Sequence, residues 1–160
     1  MTPPATQGAY EALLSRRPVV VHKRVRWADC DPAGVVYTGK FSEYLLVAVG
    51  YFFDAISEGH YARWLQAQDV DTPCKGLDLT FHGALWPEDV FQMACHVGTI
   101  REHSYDLHVE ATQEDGRRIF SGRFSPICIQ RGVRARAPIP PAMLEALHAH
   151  QRAPSEKPTP

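Results

Sequence analysis

Apolar and polar positions alternate near the start of the chain, shift to a helical period in its middle, and alternate again afterwards. Between Pro18 and Trp27, Val19, Val21 and Val25 share one parity while His22, Arg24 and Arg26 occupy the other. This β-branched, period-two run predicts a first strand. Phe41, Tyr44, Leu45, Ala48, Val49, Phe52, Phe53 and Ile56 then recur at the spacing of one helix face, predicting a helix over 41–57. Val47 and Tyr51 widen the stripe, so the helix is expected to be largely buried, with Gly59 as its stop. A second short helix is expected over His60–Gln68. Beyond Pro73 the pattern predicts four strands: Gly76–Trp86, Asp89–Arg101, Ser104–Gln113 and Arg117–Gln130. Pro87 marks the first break, and Glu114-Asp115-Gly116 ends in the Asp-Gly pair that favours a tight hairpin. Pro126 points to a bulge or an edge position. A last helix, about Pro140–His150, opens on proline. Residues 1–17 read as an N-terminal extension with a short helix around Tyr10–Ser15. Residues 18–150 form the domain, and 151–160, with three prolines and no large apolar residue, read as a disordered tail.

Consecutive hairpins imply an antiparallel sheet, and a sheet with one apolar face needs a cover. Only the 41–57 helix is long and apolar enough, so the expected class is α+β, with the sheet curled around one long helix.

Composition narrows the function classes. The net charge of -1 and an isoelectric point near 6.7 give no global basic field for nucleic acid. No apolar run approaches a membrane span, and the first residues lack a signal-peptide pattern, so the expected location is the cytoplasm. Cys30, Cys74, Cys95 and Cys128 are widely spaced, as reduced thiols would be. The eight histidines are scattered and form no metal pattern. No Gly-x-Ser-x-Gly elbow is present.

The chemistry concentrates in Asp29-Cys30-Asp31-Pro32-Ala33-Gly34, just ahead of the long helix. On spacing alone two aspartates in a turn either cap their own backbone or present a reactive carboxylate. Two acids at i and i+2 without further oxygen ligands make a poor cation site. A helix N-terminus after such an acid offers unpaired N–H groups and partial positive charge to a developing oxyanion.

The run Arg26-Trp27-Ala28-Asp29-Cys30-Asp31-Pro32-Ala33-Gly34-Val35-Val36-Tyr37, followed by the aromatic-rich helix, resembles the signature of the 4-hydroxybenzoyl-CoA thioesterase family. The resemblance extends in outline from about Val19 to Ile129. It implies a hot-dog fold and hydrolysis of an acyl-CoA to free acid and coenzyme A, with no cofactor beyond the coenzyme A of the substrate. It places the catalytic carboxylate, as nucleophile or general base, on Asp31, and the oxyanion donors on the backbone N–H of Thr38 and Gly39. Substrate contacts fall on Tyr37, Phe41 and Tyr44, an aromatic lining that raises the expectation of an aromatic acyl group. For the anionic coenzyme A they fall on Arg101 and His103, with Arg131, Arg134 and Arg136 as a second basic cluster. The acid that reads a ring hydroxyl in 4-hydroxybenzoyl-CoA hydrolases aligns with Leu46, and its aromatic helper with Thr38, which argues against that substrate. Relatives pair through sheet edges, so a homodimer or homotetramer is expected. The competing readings are a dehydratase or hydratase on the same fold, or a non-catalytic acyl-CoA-binding module.

Overall fold

A computed structural model describes residues 8–152; residues 1–7 and the last eight of the tail lie outside the described residues. The chain begins with a strand, β1, at Glu11–Arg16, where the sequence predicts a short helix. The helix expected around Tyr10–Ser15 is not formed. Glu11-Ala12-Leu13-Leu14 carries good helix formers, but the segment sits beside β2 (Val19–Arg24) and pairs with it antiparallel, Glu11 opposite Lys23 and Leu13 opposite Val21. Pairing and burial of Leu13 against the core override local propensity. The expected extension therefore contributes a strand to the sheet.

A single 3-10 turn at Trp27–Asp29 ends the first expected strand early. The long helix α1 spans Lys40–Ser57 and stops where Glu58 adopts the left-handed conformation, φ 54°. Helix α2 covers Tyr61–Ala67. Two-residue strands β3 (Val70–Asp71) and β8 (Ile129–Gln130) pair with each other. Between them run β4 (Cys74–Phe81), β5 (Val90–Ile100), β6 (Tyr105–Thr112) and β7 (Arg118–Pro126). Helix α3 covers Pro141–Ala149, with proline in its first turn as expected.

The main sheet has six antiparallel strands in the order β1-β2-β5-β6-β7-β4. Its inner face, with Val21, Met93, Val109 and Phe120 fully or almost fully buried, packs on the apolar stripe of α1. The α+β arrangement read from the sequence, a sheet around one long helix, is the one observed. Helix and sheet meet at Gly122 on β7, where a Cβ would run into Leu45 Cδ1 of α1 and lie 3.0 Å from the Asp78 carbonyl oxygen of β4. Strand β4 is a sheet edge exposed along most of its length, Leu77 and Phe81 included. Among the described residues, no helix is long and apolar enough to cross a membrane.

Candidate active site

The segment between the 3-10 turn and α1 closes on itself as a small hairpin. Tyr37 N–H donates to the Asp29 carbonyl (3.1 Å), Asp31 N–H to Val35 (3.0 Å), and Gly34 N–H to Asp31 (2.9 Å), with Cys30 bridged to Val36. The turn at its tip needs Gly34, whose φ is 82°. Val36 N–H donates to the Leu85 carbonyl (2.8 Å) and fastens the hairpin to the loop after β4. Residues 82–86, expected to lie inside a strand, form that loop.

The two aspartates of the hairpin have different surroundings. Asp29 is 6% exposed. Its carboxylate accepts the Tyr44 hydroxyl at 2.6 Å and the Arg26 N–H at 3.3 Å, and it faces the Lys40 ammonium at 3.4 Å. Burial pushes its pKa up, but Tyr44, the Arg26 N–H and Lys40 outweigh burial and hold it below the usual aspartate value. Asp31 is half-buried. One of its carboxylate oxygens accepts the Ala33 N–H at 2.9 Å, and the other accepts no hydrogen bond among the described residues. Cys30, between them, has its thiol pushed up by burial and by Asp29, Asp31 and Asp89, which keeps it protonated and unreactive.

Helix α1 starts at the root of the hairpin. Tyr37 and Thr38 carbonyls accept the N–H groups of Lys40 (2.9 Å) and Phe41 (3.3 Å), and the Gly39 carbonyl accepts the Ser42 hydroxyl (2.8 Å). The N–H groups of Thr38 and Gly39 donate to nothing among the described residues. An unengaged carboxylate oxygen and two unengaged N–H groups thus occupy one short segment. The pairing suits an attack on a carbonyl carbon with capture of its oxygen. The Tyr37 ring, half exposed, folds back so that its hydroxyl lies against Gly39.

Phe41 and Tyr44, expected to touch substrate, are buried. Phe41 packs edge-on against Phe81 (5.2 Å) and Phe120 (5.7 Å). The Tyr44 ring is held by Phe91 at 5.3 Å and by Lys23, whose ammonium lies 5.6 Å over it. Within one chain both rings are part of the core.

Arg101 and His103 lie at the other end of the sheet. Strand β5 starts beside Asp89, whose carbonyl accepts the Val25 N–H, and runs to Ile100 before Arg101. At about 3.3 Å per residue they are roughly 30 Å from the Asp31 end, so one chain does not bring them to Asp31. The Arg101 guanidinium donates twice to the buried Asp106, at 3.1 and 2.9 Å, and Ser125 donates to the same carboxylate at 2.7 Å. Among the described residues His103 Nδ1 is buried without a hydrogen-bond partner, and its Nε2 faces Glu102 at 3.6 Å. The Arg131–Arg136 cluster follows β8 at that same far end, with Arg131 paired to Asp71 at 3.3 Å.

Two features at the Asp31 end escaped the sequence pattern. The first is the Asp29–Tyr44–Lys40 cluster. Its only sequence signal was a tyrosine in a buried stripe, whose hydroxyl needs a partner. The second is a concentration of exposed aromatic side chains. Tyr10 (between Arg24 and Arg26), Trp27, Tyr37, Phe81 and Trp86 all lie around this end, with Arg117 over Trp86 at 5.8 Å.

Residues 25–147 match the family model described as the thioesterase-like superfamily. No curated protein matches the chain. Among solved structures, a thioesterase-superfamily protein from a Jannaschia species is similar at 25% identity and a TM-score of 0.74, covering 84% of this chain and 93% of that one. A 1,4-dihydroxy-2-naphthoyl-CoA thioesterase from Synechocystis is similar at 20% identity and a TM-score of 0.71, covering 81% and 94%. A gentisyl-coenzyme A thioesterase is similar at 22% identity and a TM-score of 0.68, covering 80% and 98%. These likenesses agree with the resemblance carried by the Asp29–Tyr37 segment.

Proposed function

Because the chain belongs to the thioesterase-like superfamily, we propose that it hydrolyses an acyl-CoA thioester to free acid and coenzyme A, with Asp31 as the attacking or water-activating carboxylate. The observation that carries this reading is the half-buried Asp31 carboxylate, with one oxygen unengaged, on a hairpin whose root exposes the unengaged N–H groups of Thr38 and Gly39. Asp31 attacks the thioester carbon directly or takes a proton from the attacking water. The carbonyl oxygen becomes an oxyanion held by the two N–H groups, the C–S bond breaks, and the coenzyme A thiolate leaves and takes up a proton derived from the water. After direct attack the acyl group sits on Asp31 as a mixed anhydride, which water hydrolyses to the free acid and the carboxylate. Loss of one such donor typically costs ~10²–10³ in rate. A thiolate leaves readily, so a lone carboxylate suffices without a histidine relay.

An aromatic acyl group fits best. The exposed aromatic side chains of the chain gather at the Asp31 end, and two similar structures are thioesterases of gentisyl-CoA and dihydroxynaphthoyl-CoA. Leu46, exposed on the second turn of α1, supplies no carboxylate to read a ring hydroxyl. A second copy of the chain completes the site in this reading. The open edge β4 with its exposed Leu77 and Phe81 is the pairing surface, and Arg101 and His103 reach coenzyme A from a neighbouring subunit.

The test is a panel of aliphatic and aromatic acyl-CoAs assayed for free thiol. Release is expected to be fastest from an aryl-CoA, and no release from any thioester overturns the reading. Elution as a monomer at micromolar concentration overturns the shared site.

A further inference from the structure

Asp29 carries three side-chain contacts and one main-chain contact that converge on the hairpin from different elements. Its carbonyl accepts the Tyr37 N–H on the returning arm of the hairpin (3.1 Å). Its carboxylate accepts the Arg26 N–H on the incoming arm (3.3 Å) and the Tyr44 hydroxyl from the second turn of α1 (2.6 Å), and it faces Lys40 from the first turn (3.4 Å). Asp31 is two residues beyond Asp29, and Thr38 is one beyond Tyr37. One buried residue therefore ties all three parts: its carboxylate holds the incoming arm and the helix that follows, and its carbonyl holds the arm that carries the N–H donors.

Tyr44 is itself held on every side. It is 2% exposed, its ring lies against Phe91 and Phe41, and Lys23 covers its face while bonding Glu11 of β1 at 2.6 Å. A hydroxyl held this firmly has little freedom to follow a drifting carboxylate, so the Asp29 carboxylate is fixed to the core. Burial and the neighbouring Asp29 charge also keep this hydroxyl protonated, as a permanent donor.

We propose that Tyr44 and Asp29 are positioning residues for the thioester hydrolysis, acting through the hairpin to hold Asp31 and the Thr38 N–H in register, and touching no substrate themselves. The inference rests on the function proposed above. Reacting groups displaced by about 1 Å can lose ~10² in rate, so the loss of one hydroxyl remote from the reacting atoms registers in turnover.

The test compares Tyr44→Phe with the unaltered protein on the best acyl-CoA of the panel. This substitution keeps the ring and removes only the donor. kcat is expected to fall at least about tenfold while KM for the acyl-CoA stays within about threefold, since no substrate contact is lost. Amide exchange at Tyr37, whose N–H donates to Asp29, is expected to speed up while the β5–β6 amides are unchanged. A folded Tyr44→Phe variant with kcat within twofold of the unaltered protein overturns the proposal. If Tyr44→Phe does not fold, Asp29→Asn, which keeps an acceptor and drops the charge, is judged by the same two measurements. If the unaltered protein hydrolyses no acyl-CoA, the thioesterase reading fails, and the Tyr37 exchange rate alone decides whether Tyr44 holds the hairpin.

Discussion

Two buried aspartates anchor the two ends of the sheet. At one end Asp29 gathers Tyr44, the Arg26 N–H and Lys40. At the other Asp106 gathers Arg101 and Ser125. Both carboxylates are saturated with donors, and both have pKa values below the usual range because those donors outweigh burial. They differ in what stands beside them. Two residues from Asp29 is Asp31, with an oxygen left over, and seven residues further begin the unengaged N–H groups of the helix start. Asp106 instead has an arginine and a serine on it, with the arginine donating twice. A saturated buried acid is structural by itself, and under the proposed function reactivity belongs to the unsaturated group beside it.

The sharpest way to break this comparison is Asp31→Asn. Turnover is expected to fall by ~10²–10⁴, with unfolding stability within about 0.5 kcal/mol, checked by thiol release and urea melts on the same preparation. A large stability loss would make Asp31 another anchor and erase the contrast. Next comes Asp106→Ala at the other end. It leaves Ser125 and Arg101 without their acceptor and is expected to cost about 1–3 kcal/mol. Turnover per folded molecule at saturating substrate is expected to be unchanged, because the Asp31 hairpin is untouched.

Titration tests the two anchors. A carboxyl whose folded pKa is lowered adds stability above its unfolded value, near 3.9 for aspartate, and that stability disappears as pH falls through the lower folded value. Asp29 and Asp106 should therefore leave stability flat near neutrality and drive its loss below about pH 4. Urea melts across that range should show a shallower acid slope for Asp29→Asn and for Asp106→Asn. An unchanged slope would remove either residue from the class of anchors. The smallest effect belongs to Tyr105, fully buried, whose hydroxyl faces that of Tyr61 without making a well-formed hydrogen bond among the described residues. Tyr105→Phe is expected to be neutral or to stabilise by up to about 1 kcal/mol, read from the same melts. A loss instead would reveal a bonded hydroxyl and a third anchored site.

The sequence carried much of this, in proportion to how local each signal was. Helix α1 and the strands after it were legible from period alone, because one face of each meets the core. The acid-bearing turn and the helix behind it were legible from a dozen consecutive residues. Strand β1 was not, since Glu11-Ala12-Leu13-Leu14 favours a helix and only its neighbour β2 makes it a strand. Nor was the Asp29–Tyr44 bond, which spans 15 residues and joins a turn to a position that reads as core. The distance between Arg101 and Asp31 was equally hidden, because a strand's length separates its two ends only once the sheet is assembled.

The hairpin tip has a consequence for how this site changes over time. Asp31, Pro32, Ala33 and Gly34 lie outside the apolar core, and the fold is secured at Asp29, Val36 and Tyr37 beneath them. Substitutions at the tip therefore draw little on the folding free energy of the domain, provided the glycine is kept. Under the proposed function the reactive group can thus be exchanged, lost or regained on a standing scaffold, and descendants of this chain could alter their chemistry without first acquiring stability to spare.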